Sequence, residues 1–337
     1  MNRHDSDSRM TAASQRLEVG DGPKAYEGVV ATILLAGDAG DLGDMVGATL
    51  KYHAAIRPSS TTVFYLGDNI YPMGLPSEDD QGYQNARERI DRQVMVLKGS
   101  AVRGLFFPGN HDWQRSGPNG WEWVKRQQAL VERELGAGSY LPGGGCPGPV
   151  EALETEYAQV VVVDSEWFLR SYAKPSASSD GCPTWTEEMV MAELRRLLTK
   201  KIRSATRIFL QHHPIESVGE HSHGSRCPQD FGCPSYDHMR LTELAALDVG
   251  RPLLCAAGHD HSLQVLTGSR GCEYFAVSGS MSSASDVLTD GRTLFAQSRL
   301  GFMRLDFLAG GKVRLRSVVV ESGHPEGKVV FEKWLRE

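Results

Sequence analysis

The stretch VVATILLAGDAG, residues 29–40, sets the interpretation of the whole chain. Eight apolar or β-branched residues, Val29–Ala36, are followed at once by the glycine-containing cluster Gly37-Asp38-Ala39-Gly40. A run of this length bounded by turn residues is typical of a buried strand. We therefore predict a strand over Val29–Ala36 with Asp38 just beyond its carboxyl end.

Four later segments repeat this pattern of a short apolar run that ends in a polar cluster. The runs are Thr61–Leu66, Val102–Phe107, Ile208–Leu210 and Leu253–Ala257. They end in the sequences GDN, PGNHD, QHHP and GHDH, in that order. Each run has the length of a buried strand, which predicts four further strands with polar residues at their carboxyl ends.

Helical patterns separate these strands. The apolar faces of two helices are marked by Ala86, Ile90, Val94 and Leu97, and by Val190, Leu194, Leu197 and Leu198. A capping box from Thr184 to Glu187 would begin the second helix. Alternation of strands and helices implies a largely parallel sheet, in which ligands bind beyond the carboxyl ends of the strands. All five polar clusters fall at that end.

The pattern changes after Gly258, where strands follow one another with little helix between them. These strands are predicted over Ser262–Leu266, Glu273–Val277, Phe302–Phe307 and Val313–Val320. They indicate a second, mixed or antiparallel sheet packed against the first. We predict an α/β fold with one domain over residues 27–337, a four-layer αββα sandwich. Residues 1–26 form a polar N-terminal segment that we expect to be poorly ordered.

The composition of the 337-residue chain is that of a globular protein, with 40% hydrophobic and 23% charged residues. A net charge of −6 and a pI near 6.0 argue against a broad nucleic-acid-binding surface. No apolar run is long enough to span a bilayer. The polar N-terminus predicts a cytoplasmic protein if the chain is full length, and a periplasmic or secreted one if a leader was removed.

Six cysteines permit up to three disulfides without requiring any. Four of them lie in Gly/Pro-rich loop sequence, where bridges often occur, namely Cys146, Cys182, Cys227 and Cys233. Cys255 lies in an apolar run and is predicted to be a buried thiol.

The five strand ends supply seven candidate metal ligands. They are Asp38, Asp68, Tyr71, Asn110, His212, His259 and His261. Oxygen and nitrogen donors without a thiolate argue against a structural zinc site. Seven ligands are too many for one ion but suit two ions that share a bridging carboxylate, as displacement at phosphorus requires. Taken singly, Asp38 and Asp68 could be turn residues and Tyr71 a packed aromatic.

In order along the chain, the motifs resemble the signature of calcineurin-like metallophosphoesterases. The motifs are Gly37–Gly40, Gly67–Tyr71, Gly109–Asp112, His212–Pro214 and Gly258–His261. Many members of that superfamily have a His where this chain has Gly40. Tyr71 stands three residues after the second Asp, Asp68, and in this the chain resembles purple acid phosphatases. In those enzymes a Tyr supplies the ligand that the missing His would provide. The segments 212–221 and 258–264 resemble the small, mammalian-type members.

The resemblance implies two metal sites that share Asp68. One ion would be held by Asp38, Asp68, Tyr71 and His261, and the other by Asp68, Asn110, His212 and His259. A phenol with a pKa near 10 needs a strong Lewis acid to ionise at neutral pH, so Fe(III) is expected at the Tyr71 site. The partner ion would be divalent Fe, Zn or Mn.

The resemblance also implies catalytic roles for residues beside the ligands. His111 would stabilise charge on the phosphate, with Asp112 holding its ring nitrogen. His221 matches the position proposed to protonate the leaving alkoxide, and His223 is the alternative donor. A metal-bound hydroxide would be the nucleophile.

The leading functional prediction is an enzyme that hydrolyses phosphate monoesters. One alternative is a phosphodiesterase or nucleotide hydrolase with a di-Mn or di-Zn centre in which Tyr71 is not a ligand. The other is a phospho-ligand-binding module without turnover. The expected partner is a small phosphate ester or a phosphorylated peptide, with no nucleic acid and no membrane span; the sequence leaves the oligomeric state open.

Overall fold

The computed structural model describes residues 26–204 and 206–337. The prediction for the N-terminal segment therefore falls, apart from residue 26, outside the described residues. Six helices are found in the described part of the chain: α1 (Asp44–Ala55), α2 (Tyr83–Leu97), α3 (Gly120–Leu135), α4 (Glu166–Leu169), α5 (Glu187–Thr199) and α6 (Pro234–Gly250).

Thirteen strands accompany these helices in the described residues. The first seven are β1 (Val29–Ala36), β2 (Thr61–Leu66), β3 (Arg103–Phe107), β4 (Val150–Glu154), β5 (Gln159–Val162), β6 (Arg207–Leu210) and β7 (Leu254–Ala257). The other six are β8 (Leu263–Thr267), β9 (Tyr274–Ser278), β10 (Thr293–Gln297), β11 (Gly301–Leu308), β12 (Val313–Glu321) and β13 (His324–Arg336).

The strands form two mixed sheets. The first has six strands in the order β13-β12-β11-β1-β2-β3, with β1, β2 and β3 parallel and β11 to β13 antiparallel. The second has seven strands in the order β10-β8-β9-β7-β6-β5-β4, in which β5, β6, β7 and β9 are parallel. The strands β4, β8 and β10 pair antiparallel with their neighbours.

Three apolar clusters define four layers. The central cluster lies between the sheets and combines residues such as Phe64 and Phe107 of the first sheet with Val160 and Leu210 of the second. A second cluster packs α1, α2 and α3 on the outer face of the first sheet, and a third packs α5 and α6 on the outer face of the second. The predicted αββα sandwich is confirmed.

The assignment of strands to the two sheets was wrong. The sequence suggested one central sheet for the five strand ends and a second sheet for everything after Gly258. Instead, β1, β2 and β3 lie in the first sheet, while β6 and β7 lie in the second. The late strands are divided as well, because β8, β9 and β10 join the second sheet and β11, β12 and β13 join the first. Most of these strands are largely buried, and an apolar strand carries no mark of which sheet it joins.

The start of α5 also differs from its prediction. The hydroxyl of Thr186, not that of Thr184, accepts the backbone N–H of Met189 at 3.3 Å and caps the helix. Thr184 instead donates its hydroxyl to the carbonyl oxygen of Gly148.

Three disulfides link all six cysteines. Cys146 pairs with Cys182 and Cys227 pairs with Cys233, in the loops where the sequence favoured bridges. The prediction that Cys255 is a free thiol was wrong, because it pairs with Cys272 across 17 residues. Among the described helices, none combines the length and the apolar character that crossing a membrane requires.

Candidate metal centre

The carboxyl ends of strands from both sheets meet at one edge of the sandwich. The backbone N–H of Gly37, after β1, donates to the carbonyl oxygen of Ser278 in the second sheet at 2.8 Å. The His212 ring, after β6, contacts the carbonyl oxygen of Leu66 on β2 through Nδ1 at 2.9 Å. Contacts of this kind bring the five polar clusters together even though they belong to two sheets.

The two aspartates that follow β1 and β2 have the same backbone conformation. Asp38 has φ of 58° and Asp68 has φ of 52°, the left-handed region that Asp adopts more readily than most residues. Both side chains are buried, with 0% and 2% exposure. A buried carboxylate is costly unless it is paired or binds a metal, so these two positions call for cationic partners.

Asp38, Tyr71 and His261 form the first donor group. The Tyr71 hydroxyl lies 3.0 Å from Asp38 Oδ1 and 3.0 Å from His261 Nε2. His261 Nε2 is itself 3.3 Å from Asp38 Oδ1. Nδ1 of His261 contacts the Ser283 hydroxyl at 2.5 Å, so Nε2 is the nitrogen turned to the other two donors.

The glycine at position 40 explains how a tyrosine reaches this group. A Cβ atom added to Gly40 would lie 2.8 Å from Cδ2 of the Tyr71 ring and 2.7 Å from its backbone nitrogen. Any side chain at residue 40 would therefore displace the ring. Gly40 and Tyr71 are thus two parts of one steric arrangement.

Asp68, Asn110 and His212 form the second donor group. His212 Nε2 lies 3.1 Å from Asn110 Oδ1 and 3.4 Å from Asp68 Oδ1. Because His212 Nδ1 contacts a backbone carbonyl, Nε2 is the nitrogen turned to the other two donors. Ligand atoms of Asp38, Asp68 and His212 all lie within 4.8 Å of one another, which joins the two donor groups.

His259 adjoins the second group, and His213 lies next to it. His212, His213 and His259 also offer ring nitrogens within 4.8 Å of one another. His259 Nε2 contacts the carbonyl oxygen of Gln229 at 2.9 Å, which leaves Nδ1 for a metal. Both nitrogens of His213 are engaged, with Ser165 Oγ at 2.8 Å and with Gln229 Oε1 at 2.6 Å. His213 is therefore a neighbour of the centre, with both of its ring nitrogens already engaged.

Electrostatics at the centre favour bound cations. Burial raises the pKa of Asp68, but His212 and His111 outweigh it, and the net pKa is below that of an ordinary aspartate. Burial and the nearby Asp38 raise the pKa of the Tyr71 phenol well above its usual value. Burial lowers the pKa of His261, yet the hydrogen bond and charge of Asp38 raise it to about 9. Buried carboxylates, a phenol, an amide and imidazoles together suit metal ions with mixed oxygen and nitrogen ligands.

A cavity of about 360 Å³ opens beside the donor groups. Its walls include Asp68, Asn110, His111, His221, His259 and His261. His111 Nε2 lies 3.8 Å from Asp68 Oδ2, and the His111 ring packs edge-on against Tyr71 with centroids 4.7 Å apart. The cavity thus has room for a small anion next to the donors.

The predicted contact between Asp112 and the His111 ring was wrong. His111 Nδ1 lies 2.5 Å from the carbonyl oxygen of Pro72 instead. Asp112 accepts the backbone N–H groups of Asn69 and Gly109 at 3.0 and 2.8 Å and is fully buried. Burial and Asp68 raise the pKa of Asp112 to about 7. Asp112 therefore braces the turns that follow β2 and β3 and carry Asp68 and Asn110.

The two candidate acids lie in different places. His221 lines the cavity that also contains Asp68 and His111. His223 is exposed and lines a neighbouring cavity of about 540 Å³. The two cavities share Glu220 and Arg226 at their boundary. The geometry thus places His221, and not His223, beside the donor groups.

Sequence reasoning missed several residues around the cavity. Arg115, Ser116 and Gln229 line it, and Asp230 contacts His221. Gln229 and Asp230 lie in the loop of residues 219–234, and long loops in compact domains are often functional. The only local indication in the sequence is that both residues lie between Cys227 and Cys233, which could close the segment into a loop.

No family model matches the chain, and a search of curated proteins found no match. Solved structures do resemble it. GAP50, the anchor in the inner membrane complex of Plasmodium, superposes with a TM-score of 0.61 at 18% identity, over 91% of this chain and 88% of that one. Purple acid phosphatase PPD1 from yellow lupin (Lupinus luteus) seeds superposes with a TM-score of 0.57 at 14% identity, over 90% of this chain. The chain therefore shares its overall fold with these two solved structures.

At these identities the likeness shows the fold and does not decide the activity. The chain spans only 53% of the length of the lupin phosphatase. One of the two similar proteins is a phosphatase and the other is an anchor. The residues of the candidate metal centre, and not the fold, therefore bear on the activity of this chain.

Proposed function

We propose that the chain is a dinuclear-metal phosphoesterase that hydrolyses phosphate monoesters. The observation that carries this proposal is the pair of donor groups joined by the cluster of Asp38, Asp68 and His212, next to a cavity lined by His111 and His221. Two ions held this way would match the requirement of in-line displacement at phosphorus.

The residues present fit the two metal sites implied by the motifs. Asp38, Asp68, Tyr71 and His261 would hold one ion; Asp68, Asn110, His212 and His259 would hold the other. When bound, the ions would supply positive charge for the phosphoryl oxygens and lower the pKa of water to generate the nucleophile. A phenolate ligand at Tyr71 would need a strong Lewis acid to form at neutral pH, so Fe(III) is proposed at that site, with divalent Fe, Zn or Mn as the partner.

The side chains around the cavity would act on the substrate itself. His111, held by Pro72 at Nδ1, presents Nε2 near Asp68 and would donate a hydrogen bond to a phosphoryl oxygen. His221 would donate a proton to the leaving alkoxide. Asp112 would keep the ligand turns in register without contacting the substrate.

A phospho-ligand-binding module without turnover is the second candidate. It is favoured by the structural likeness to GAP50, which is an anchor. A binding module needs the donor groups but gains nothing from His221, whereas an esterase uses it for leaving-group protonation. The arrangement of His221 therefore favours the enzyme.

The test combines metal analysis, spectroscopy and kinetics on protein purified without chelator. We expect about two metals per chain, a visible absorption band from a Tyr71–iron bond, and hydrolysis of p-nitrophenyl phosphate. Asp68→Asn should lose metal and activity together. Tyr71→Phe should lose the band. His111→Ala should keep its metal while kcat falls about 10- to 1000-fold.

His238→Ala is the matched control, because His238 is an exposed histidine that pairs with Glu187 on the surface. It should retain metal, colour and rate. A colourless protein with two manganese or zinc ions and full activity would keep the esterase and refute iron at Tyr71. Protein with both ions bound that cleaves no phosphate ester would refute the enzyme and support the binding module.

A further inference from the structure

We infer that Asp230 is a positioning residue for His221, and that the loop closed by the Cys227–Cys233 disulfide holds it in place. This inference rests on the proposed function, in which His221 protonates the leaving group. No motif in the sequence points to Asp230, which lies outside all five strand-end clusters.

Asp230 is a buried carboxylate with few partners other than His221. Its exposure is 0%, and its Oδ1 lies 2.5 Å from His221 Nδ1. Its Oδ2 accepts the backbone N–H of Arg226 at 2.6 Å and lies 3.5 Å from the Arg226 Nε. Burying a carboxylate costs free energy unless it is paired. The short contact to His221 therefore offsets much of the cost of burying Asp230.

Two further contacts fix the His221 ring. It stacks on the His259 ring with centroids 3.9 Å apart and an angle of 33° between planes. The His221 backbone N–H donates to Asp260 Oδ1 at 2.8 Å. Nδ1 is held by Asp230, whereas Nε2 has no hydrogen-bond partner among the described residues, and His221 lines the cavity. A carboxylate held at one imidazole nitrogen orients the ring, so that the other nitrogen can face the substrate.

The loop that carries Asp230 also touches the opposite wall of the cavity. The carbonyl oxygen of Gln229 contacts His259 Nε2 at 2.9 Å, and the Gln229 amide donates to Ser116 Oγ at 2.9 Å. The disulfide closes this loop over a separation of six residues. A loop of mostly exposed or half-exposed residues is thereby held with Gln229 and Asp230 pointing inward.

His223 lies in the same segment but has no carboxylate partner among the residues that the structure describes. It is exposed, and no hydrogen bond of its ring is found within the described part of the chain. Asp230 is therefore the feature that distinguishes the two candidate acids.

The test uses metal-loaded enzyme and two substrates that differ in their need for a proton. Glycerol 2-phosphate has an alkoxide leaving group, whereas 2,4-dinitrophenyl phosphate has one that departs without protonation. For Asp230→Asn we expect kcat on glycerol 2-phosphate to fall about 10- to 100-fold, with KM and metal content unchanged. On 2,4-dinitrophenyl phosphate the change should stay within about threefold.

His221→Ala should show the same dependence on the substrate, and the double variant His221→Ala/Asp230→Asn should be no slower than His221→Ala alone. Equal losses on both substrates, or additive losses in the double variant, would overturn the positioning role. If the metal-loaded wild-type enzyme cleaves neither substrate, the proposed function fails; if it cleaves both and Asp230→Asn matches it, only this inference fails.

If Asp230→Asn does not fold, a second variant tests the positioning role of Asp230. Cys227→Ala/Cys233→Ala leaves Asp230 intact but opens the loop, and it should reproduce the selective loss on glycerol 2-phosphate. Cys146→Ala/Cys182→Ala is the matched control, since it removes a disulfide that does not enclose Asp230. An opened loop with wild-type rates on both substrates would refute the role of the disulfide.

Discussion

Glu243 is a fully buried carboxyl group on α6 and is not one of the residues that line the cavity. Its Oε2 accepts a hydrogen bond from the Gln211 amide at 3.0 Å. Burial raises its pKa from 4.5 to about 8. Below pH 4.5 the carboxyl is protonated in both the folded and the unfolded chain. Between pH 4.5 and about 8 only the folded chain keeps the proton, so the free energy of unfolding falls as the pH rises.

Glu243→Gln should remove this dependence on pH. Between pH 5 and 8 the wild-type free energy of unfolding should decline more steeply than that of the variant, by up to about 1.4 kcal/mol per pH unit. Urea unfolding of metal-free protein at several pH values measures the difference. Glu188→Gln, at an exposed position on α5, is the control and should follow the wild type. Parallel curves for Glu243→Gln and the wild type would contradict the raised pKa.

At the scale of elements, α5 packs its apolar face on the second sheet and begins at a single polar cap. Val190, Leu194 and Leu198 are almost completely buried, as their helical spacing predicted. The first turn carries Glu187 and Glu188, whose charges suit the positive end of the helix dipole. The cap itself is the Thr186 hydroxyl.

Thr186→Ala should lower the free energy of unfolding by about 1 kcal/mol, because an unpaired N–H at the helix start loses its acceptor. Thr186→Ser retains a hydroxyl and is the matched control, with a change of only a few tenths of a kcal/mol. Chemical denaturation of both variants measures the difference. A loss for Ser as large as that for Ala would show that the methyl group, not the cap, matters here.

At the scale of the whole molecule, the candidate centre joins the two sheets. Asp38, Asp68 and Asn110 follow strands of the first sheet, while His212, His259 and His261 follow strands of the second. Only the folded chain would bind ions between these residues, because the unfolded chain does not bring the residues of the two sheets together. Metal binding should therefore stabilise the entire sandwich.

Removing the metals with a chelator should lower the melting temperature and the free energy of unfolding. A divalent ion present at 100 times its dissociation constant contributes about 2.7 kcal/mol. Calorimetry with and without chelator checks this expectation. Asp68→Asn should melt at the same temperature in both conditions, whereas His238→Ala should respond like the wild type. Identical melting of the metal-loaded and chelated wild type would argue against ions that bridge the sheets.

The amino-acid sequence by itself determined the αββα fold class, the strand ends and the residue types gathered there. Strand length, glycine turns and side-chain chemistry are local properties, so a linear pattern carries them. The tertiary structure alone decided which sheet each strand joins, that Cys255 pairs with Cys272, and that Asp230 faces His221. Those outcomes depend on packing between segments far apart in the chain, and a buried apolar strand or a lone loop carboxylate gives no local sign of its partner.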